Sequence, residues 1–375
     1  MTEDQRALCD MARRALREHY PPAALVGLDA TRTRGDAGAW STLAKLGWTA
    51  LSVPEARGGM GCDAATVAML MTEIGYGLLA VPLAACGVLC GAVLGRAEDV
   101  DGVRALTDAL VGGDQRFAMA LLEEETGYHI DRPASRGRSE RGMWRVSGSK
   151  CAVVGAPDAD VLLVSAAIDG EAAADPPVAL FAVARDAPGV TIEPSVGIDS
   201  VPCGDVTLNG APVLAGGPLA AAPRAAEIIG DGVALATAAV CWEAIGIMRL
   251  LIDTTIDHLR DREQFGRRLA DFQVLQHRIA DMYLEYQRAE SLGVMALREG
   301  FSGDRPQRER SLSAAKARIG QAARFVGQQA VQLHGGMGVS NEHVVAHGLR
   351  RLVAIDATFG NGAYHLERYR VLSEI

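Results

Sequence analysis

The sequence predicts an α+β multi-domain protein, helical at both ends with a small β domain between. Two observations carry this: the apolar period changes twice along the chain, and the last third holds long, unbroken three-four repeats. To about Gly113 the pattern is helical, punctuated by Pro21 and Pro22, by Gly47 and by the cluster Gly58, Gly59 and Gly61. From Phe117 to about Val213 the apolar runs become short and β-branched. Trp144 with Val146, Val153 with Val154, Val161 to Val164, Val178 to Val183 and Val206 to Leu208 lie between Gly, Asp and Pro, as strands do. Beyond about Pro223 the helical period returns. Phe272, Leu275, Ile279, Met282, Tyr286 and Ala289 mark one helix face, and Leu312, Ala315, Ile319, Ala322, Val326, Ala330 and Leu333 another. The stretch Ala225 to Arg260 is apolar around most of its surface, which suits the centre of a bundle or a subunit interface. The expected domains are 1–115 (helical), 116–222 (β) and 223–375 (helical bundle).

Composition narrows the function classes. A chain of 375 residues with net charge −9, 49% hydrophobic and 22% charged residues is a densely packed globular protein, not a disordered one. Its three lysines (Lys45, Lys150, Lys316) and scattered arginines offer no clustered basic face, so no nucleic-acid partner is expected. Met1 to Ala15 interleaves Glu3, Asp4, Arg6, Asp10 and Arg13 with single apolar residues and does not read as a signal peptide. Leu78 to Leu94, interrupted by Pro82, is shorter than the ~20 residues of a membrane helix and reads as a core helix, so a cytoplasmic protein without a membrane span is expected. The seven cysteines lack CxxC spacing and suggest reduced, mostly buried thiols. His343 and His347 are four apart, as two metal ligands on one helix face would be, but no third ligand follows at a recognisable spacing, and no metal is expected.

One segment carries a binding chemistry. Arg262-Glu263-Gln264-Phe265-Gly266 is followed by Asp271-Phe272-Gln273, and a later helix ends in Gln332-Leu333-His334-Gly335-Gly336-Met337-Gly338. Glycines at such a turn leave backbone N–H groups open to close approach, and an arginine supplies a permanently charged bidentate phosphate donor. An ADP-like diphosphate suits that combination. These motifs, at this separation, resemble the RxQFG, FQ and QxxGGxG elements of the acyl-CoA dehydrogenase family. The resemblance spans essentially the whole chain. Leu46-Gly47-Trp48, Pro54-Glu55 and Gly58-Gly59-Met60-Gly61 are similar to its N-terminal domain, and Trp144-Arg145-Val146-Ser147-Gly148-Ser149-Lys150 to the strand pair of its middle domain. It implies a β-barrel-like middle domain, a C-terminal four-helix bundle, FAD as cofactor, an acyl-CoA substrate and an electron acceptor. It also implies that Arg262, Gln264, Phe265, Gln273, Gln332, Gly335 and Gly336 reach the adenine and pyrophosphate end of a neighbouring subunit's FAD.

Dehydrogenation of a thioester requires a carboxylate within reach of the α-proton. The family's usual glutamate corresponds to Gly360, within Ile355-Asp356-Ala357-Thr358-Phe359-Gly360, and its alternative base position, counted back from Phe265, to Ala236. Neither residue takes a proton. Glu243 lies seven residues beyond Ala236, about two turns or ~10 Å along the same helix, and is a weaker alternative base. Its expected role is a buried or interface pairing with an arginine. The family's LTEPxAGSD loop reads Leu121-Leu122-Glu123-Glu124-Glu125-Thr126-Gly127-Tyr128-His129 here, with the glutamate run expected to be solvated. The Trp and Thr expected after the lysine are Ala152 and Val154. Flavin contacts are thus lost on the chain's own side and kept on the side offered to a neighbour. That asymmetry resembles the small, base-lacking subunits of heteromeric acyl-CoA dehydrogenases of the pimeloyl-CoA or steroid side-chain types, which need a homologous base-bearing partner. Two alternatives stay open: a homo-oligomeric flavoenzyme with a non-standard base or oxygenase chemistry, and a structural pseudoenzyme.

Overall fold

The computed structural model describes residues 2–20, 35–98, 100–169, 177–301 and 303–374; Pro21 and Pro22 lie outside them. The chain divides into two compact units, one of residues 1–29, 64–80 and 237–375, the other of residues 30–63 and 81–236.

The second unit is built around a seven-stranded sheet. Its strands are β1 (Phe117–Ala120), β2 (Arg136–Glu140), β3 (Met143–Val154), β4 (Val161–Ile168), β5 (Val178–Ala184), β6 (Val190–Val196) and β7 (Pro202–Pro212). They run in the order β1-β4-β2-β3-β7-β6, with β5 also on β4. The runs read as strands from their β-branched content are these strands. One face packs a core of Val146, Val153, Leu162, Val164, Phe181, Val183, Val206 and Leu208. Gly137 is glycine for a steric reason, since a Cβ there would stand 2.6 Å from the Phe181 ring. β3 is irregular: its pairing with β7 shifts register between Lys150 and Val153, where Ala152 takes φ 50°. Helices α2 (Ala37–Lys45), α4 (Cys90–Leu94) and α5 (Asp101–Gly112) belong to the same unit. Asp36 caps α2 by accepting from Gly38 N (2.8 Å), the role its short carboxylate suits. The apolar stretch before α4 forms π-type turns over Leu83–Leu89, and every residue from Leu83 to Leu94 is buried, as a core helix requires.

The first unit is helical. It holds α1 (Glu3–His19), α3 (Ala64–Tyr76), α7 (Gln273–Gly300), α8 (Arg305–His334), α9 (Val344–Ala357), α10 (Gly362–Leu372) and the greater part of α6 (Arg224–Asp261). Thr2 and Gln5 form a reciprocal capping box that starts α1, with hydrogen bonds of 3.2 and 2.9 Å. The face read for α8, Leu312, Ala315, Ile319, Ala322, Val326, Ala330 and Leu333, is buried throughout, whereas that read for α7 is buried only at Met282, Tyr286 and Ala289, with Leu275 and Ile279 half-buried in its first turns and Phe272 half-buried just before it. α6 is the one described helix long and apolar enough to cross a membrane, but 78% of its most apolar window is buried within the protein, which makes it a core helix. Glycines set how closely its neighbours approach. A Cβ on Gly75 of α3 would collide with the Glu243 carbonyl, and one on Gly246 of α6 with the Thr72 carbonyl, so the two helices cross backbone to backbone.

Candidate functional site

The seven residues expected at a flavin edge lie on three chain segments. α6 ends where Arg262 N donates to His258 O (3.0 Å), and the Arg262 carbonyl accepts from Leu269 N (2.8 Å). Between these bonds the chain makes a hairpin of β8 (Glu263–Gln264) and β9 (Arg267–Arg268), with Gln264 paired to Arg267. Its two turn residues, Phe265 (φ 56°) and Gly266 (φ 78°), are both left-handed, as a two-residue hairpin loop demands. Glycine takes that conformation freely; phenylalanine does not. Phe265 is nevertheless 89% exposed at the tip, set edge-on to Phe272 with ring centres 6.2 Å apart, and the Arg267 guanidinium lies 3.9 Å from the centre of the Phe272 ring. Gln273 begins α7 immediately after Phe272.

The third segment is the end of α8. Gly335 closes it at φ 61° and opens a 3₁₀ turn over Gly335–Val339. The glycines here differ in their reasons. Gly338 is needed internally, because a Cβ would meet the Val331 backbone; a Cβ on Gly335 or Gly336 would meet nothing within 4 Å. The ends of α6 and α8 are joined by rings, with His334 stacked on His258 at 4.4 Å and beside His343 at 4.7 Å. His334 Nδ1 donates to Ala330 O (2.8 Å), while its Nε2 is buried with no hydrogen-bond partner among the described residues. Burial drives the His334 pKa down to about 4, so that ring is neutral near pH 7, and burial lowers His258 and His343 in the same direction. Arg262, Gln264, Phe265, Gln273, Gln332, Gly335 and Gly336 are all exposed at this end of the helical unit. A guanidinium, three side-chain amides and two glycines with open space where a Cβ would stand are groups of the kind that hold an ADP-like diphosphate. No local pattern in the sequence marks the histidine stack, because residues 258, 334 and 343 share no periodic spacing. Among the described residues no three His, Cys, Asp or Glu side chains converge as a metal site.

None of the three positions at which a base could stand offers a free carboxylate. Ala236 is fully buried within α6. Gly360 lies in the turn between α9 and α10 at φ 108°, a backbone that disfavours any side chain. Glu243 is already committed: its Oε1 accepts from Arg351 Nε (2.6 Å) and its Oε2 from Arg351 Nη2 (2.9 Å), a bidentate pair between α6 and α9. The pairing with an arginine is the one expected.

Leu122, just beyond β1, and Ala152 and Val154 on β3 bring no hydroxyl, and the N–H of Ala152 is taken by Asp205 Oδ1 at 2.8 Å. The glutamate run departs from expectation. Glu124 and Glu125 are exposed, but Glu123 is buried. Its carboxylate meets Lys150 Nζ (2.6 Å), Ser135 Oγ (2.6 Å) and the N–H groups of Ala134 and Ser135. Burial alone would raise the Glu123 pKa; the ammonium and these donors outweigh it and hold the carboxyl below its ordinary range. Glu123 therefore anchors the strand pair and is not a solvated loop residue. The available signal was the rarity of lysine in an arginine-rich chain, since two of three lysines, Lys150 and Lys316, are buried.

Comparison with known proteins gives this architecture a family. Residues 2–97 match the N-terminal domain of acyl-CoA dehydrogenases, residues 118–211 the middle domain and residues 227–369 the C-terminal domain. The chain belongs to the acyl-CoA dehydrogenase family. Members of that family are FAD-dependent oxidoreductases acting on CH–CH bonds. Among its relatives is acyl-CoA dehydrogenase FadE27 of Mycobacterium tuberculosis, 29% identical over 331 residues that cover 85% of this chain and 83% of the relative. Among solved structures, a variant of the Tcur3481–Tcur3483 steroid ACAD superposes with a TM-score of 0.87 at 26% identity, covering 99% of this chain and 98% of the other. The ChsE4–ChsE5 complex of Mycobacterium tuberculosis gives a TM-score of 0.87 at 24% identity, with coverages of 100% and 98%. These likenesses bear out the expected fold: helical domain, curled sheet, helical domain.

Proposed function

We propose that this chain is the base-lacking subunit of a heteromeric, FAD-dependent acyl-CoA dehydrogenase that forms an α,β double bond in a CoA thioester. The observation that carries the reading is the split between an exposed, chemically complete donor edge and three base candidates of which none is free to act. Gly360 and Ala236 have no titratable side chain, and both carboxylate oxygens of Glu243 are held by Arg351. A homologous subunit with an intact glutamate removes the α-proton. FAD held by Arg262, Gln264, Phe265, Gln273, Gln332, Gly335 and Gly336 at its nucleotide end would supply the acceptor for the β-hydride, to be reoxidised by an electron acceptor.

This chain's residues bind and orient. The Arg262 guanidinium would neutralise a diphosphate and Gln264, Gln273 and Gln332 would offer amides to the nucleotide end; the Gly335 N–H is spent on Gln332 O, so the two glycines, Gly335 and Gly336, contribute the open space that lets the nucleotide approach the backbone. Phe265, held out in solvent by the hairpin, would pack against the bound cofactor and exclude water there. The ChsE4–ChsE5 complex supports the reading as an assembly of the same fold made from two named chains.

The test is flavin stoichiometry. Co-expressed with a base-bearing paralogue, the chain should give about one FAD per unlike pair, while the chain alone should hold little flavin and show negligible dehydrogenation. Arg262→Ala should weaken FAD retention by about 10- to 100-fold, the equivalent of a charged hydrogen bond worth ~1.5 to 3 kcal/mol. One tightly bound FAD per chain in the protein alone, with turnover, would refute the proposal.

A further inference from the structure

The turn that carries Gly360 is built from two sides. From above, a Cβ on Gly360 would stand 2.5 Å from Tyr364 Cδ1 and 2.7 Å from His365 Nε2, and the preceding Phe359 is itself left-handed at φ 58°. From below comes Lys316 of α8, 1% exposed. Its ammonium donates to the carbonyls of Ile355 (2.9 Å), Asp356 (3.0 Å) and Gly360 (2.9 Å), which uses all three of its N–H groups. No carboxylate forms an ion pair with it among the described residues, and the nearby Asp356 carboxylate accepts from Arg324 (3.0 Å) instead. The last carbonyls of α9 form the negative end of a helix, a place that suits a cation. A further carbonyl of the turn, on Phe359, accepts from His365 Nε2 (3.0 Å), and the Ser313 hydroxyl meets His365 Nδ1 (3.3 Å).

We propose that Lys316 is a positioning residue, a tethered cation whose three carbonyl bonds, together with the His365 bridge, lock residues 355–360 into a turn that admits no side chain at position 360. The inference rests on the reading of Gly360 as the vacated base position and deepens it. The missing base is written into the backbone as well as the side chain, so a glutamate placed at 360 cannot return proton-abstracting activity to this chain. One substitution does not exchange its role with that of a base-bearing partner.

The experiment pairs thermal unfolding with amide hydrogen exchange on the full chain, in complex with its partner where the two purify together. Gly360→Ala and Gly360→Glu should each lower Tm by about 2 to 5 °C, as expected for a strained residue forced into a crowded turn. Lys316→Met, which keeps the stem and removes the charge, should speed exchange of the amides of residues 356–361 about tenfold or more and leave the β3 amides unchanged. In the Lys316→Met background the Gly360→Ala penalty should shrink to less than half, because a released turn can move away from Tyr364 and His365. A Gly360→Glu protein with unchanged Tm, or one that gains acyl-CoA dehydrogenation, overturns the proposal. So does a Gly360→Ala penalty equal in both backgrounds. If Lys316→Met fails to accumulate, Lys316→Arg serves the same comparison, since a planar guanidinium cannot seat among the three carbonyls. FAD content measured on the same samples separates the two ideas: flavin tightly held by the chain alone counts against the subunit reading while leaving the lock intact, and unchanged exchange counts against the lock whatever the flavin content.

Discussion

Glu243 offers the sharpest test of whether a buried carboxylate in this chain serves chemistry or structure. Its side chain is 3% exposed and that of Arg351 13%, and the two are joined by hydrogen bonds of 2.6 and 2.9 Å. Glu243→Ala removes the carboxylate that both the Nε and Nη2 of this guanidinium donate to, in a site that water barely reaches. Removing one partner of such a pair costs about 3 to 5 kcal/mol, far above the ~0 to 1 kcal/mol of an exposed pair. Urea unfolding of the parent, Glu243→Ala, Arg351→Met and the double variant Glu243→Leu with Arg351→Met measures this directly. Each single substitution should cost about 3 kcal/mol, whereas the double variant, which removes both charges and restores volume, should recover most of the loss. A single-variant cost below about 1 kcal/mol would refute the structural assignment. Turnover by the chain alone that Glu243→Gln abolishes would make the residue a base after all.

Two further outcomes follow from the same geometry. Burial lowers the pKa of His334 to about 4 and of His365 to about 3, each below the unfolded-state value, so the stabilisation is complete above about pH 6.5 and is lost as pH falls. Each should remove about 2 kcal/mol by pH 5, and a Tm that stays level between pH 7 and 5 contradicts the two burials. At the α3–α6 crossing, Gly246→Ala pushes a methyl against the Thr72 carbonyl and should cost about 1 to 3 kcal/mol, read as a fall in urea midpoint; an unchanged midpoint would mean the backbones are not in contact.

The sequence was most informative where structure repeats. The apolar rows of α7 and α8 are periodic over many turns, and that periodicity survives as a face buried throughout in α8 and at Met282, Tyr286 and Ala289 in α7. The β-branched runs became β3, β4, β5 and β7 for the same reason. What stayed hidden depends on separations in the chain that no window spans. Arg351 is 108 residues from Glu243, Lys150 is 27 from Glu123, and Lys316 is 44 from the Gly360 carbonyl it holds. Nothing local marks Glu123 as buried while Glu124 and Glu125 face water, because the deciding partner is a lysine on another strand. The π-type turns over Leu83–Leu89 were illegible for a different reason: a hydrophobic run of uniform character does not say which helical period it will adopt.

The bare glycine at 336 has a consequence for how tolerance to substitution is measured. With nothing within 4 Å of its absent methyl, Gly336→Ala costs the isolated chain essentially nothing, and truncation of the 89% exposed Phe265 removes almost no internal packing. A survey that scores variants by abundance or melting temperature would rank both positions among the most permissive in the protein. Scored by occupancy of an assembled flavin site, the same positions should rank among the least permissive, so the gap between the two rankings, taken residue by residue, maps the surface this chain devotes to something other than its own folding.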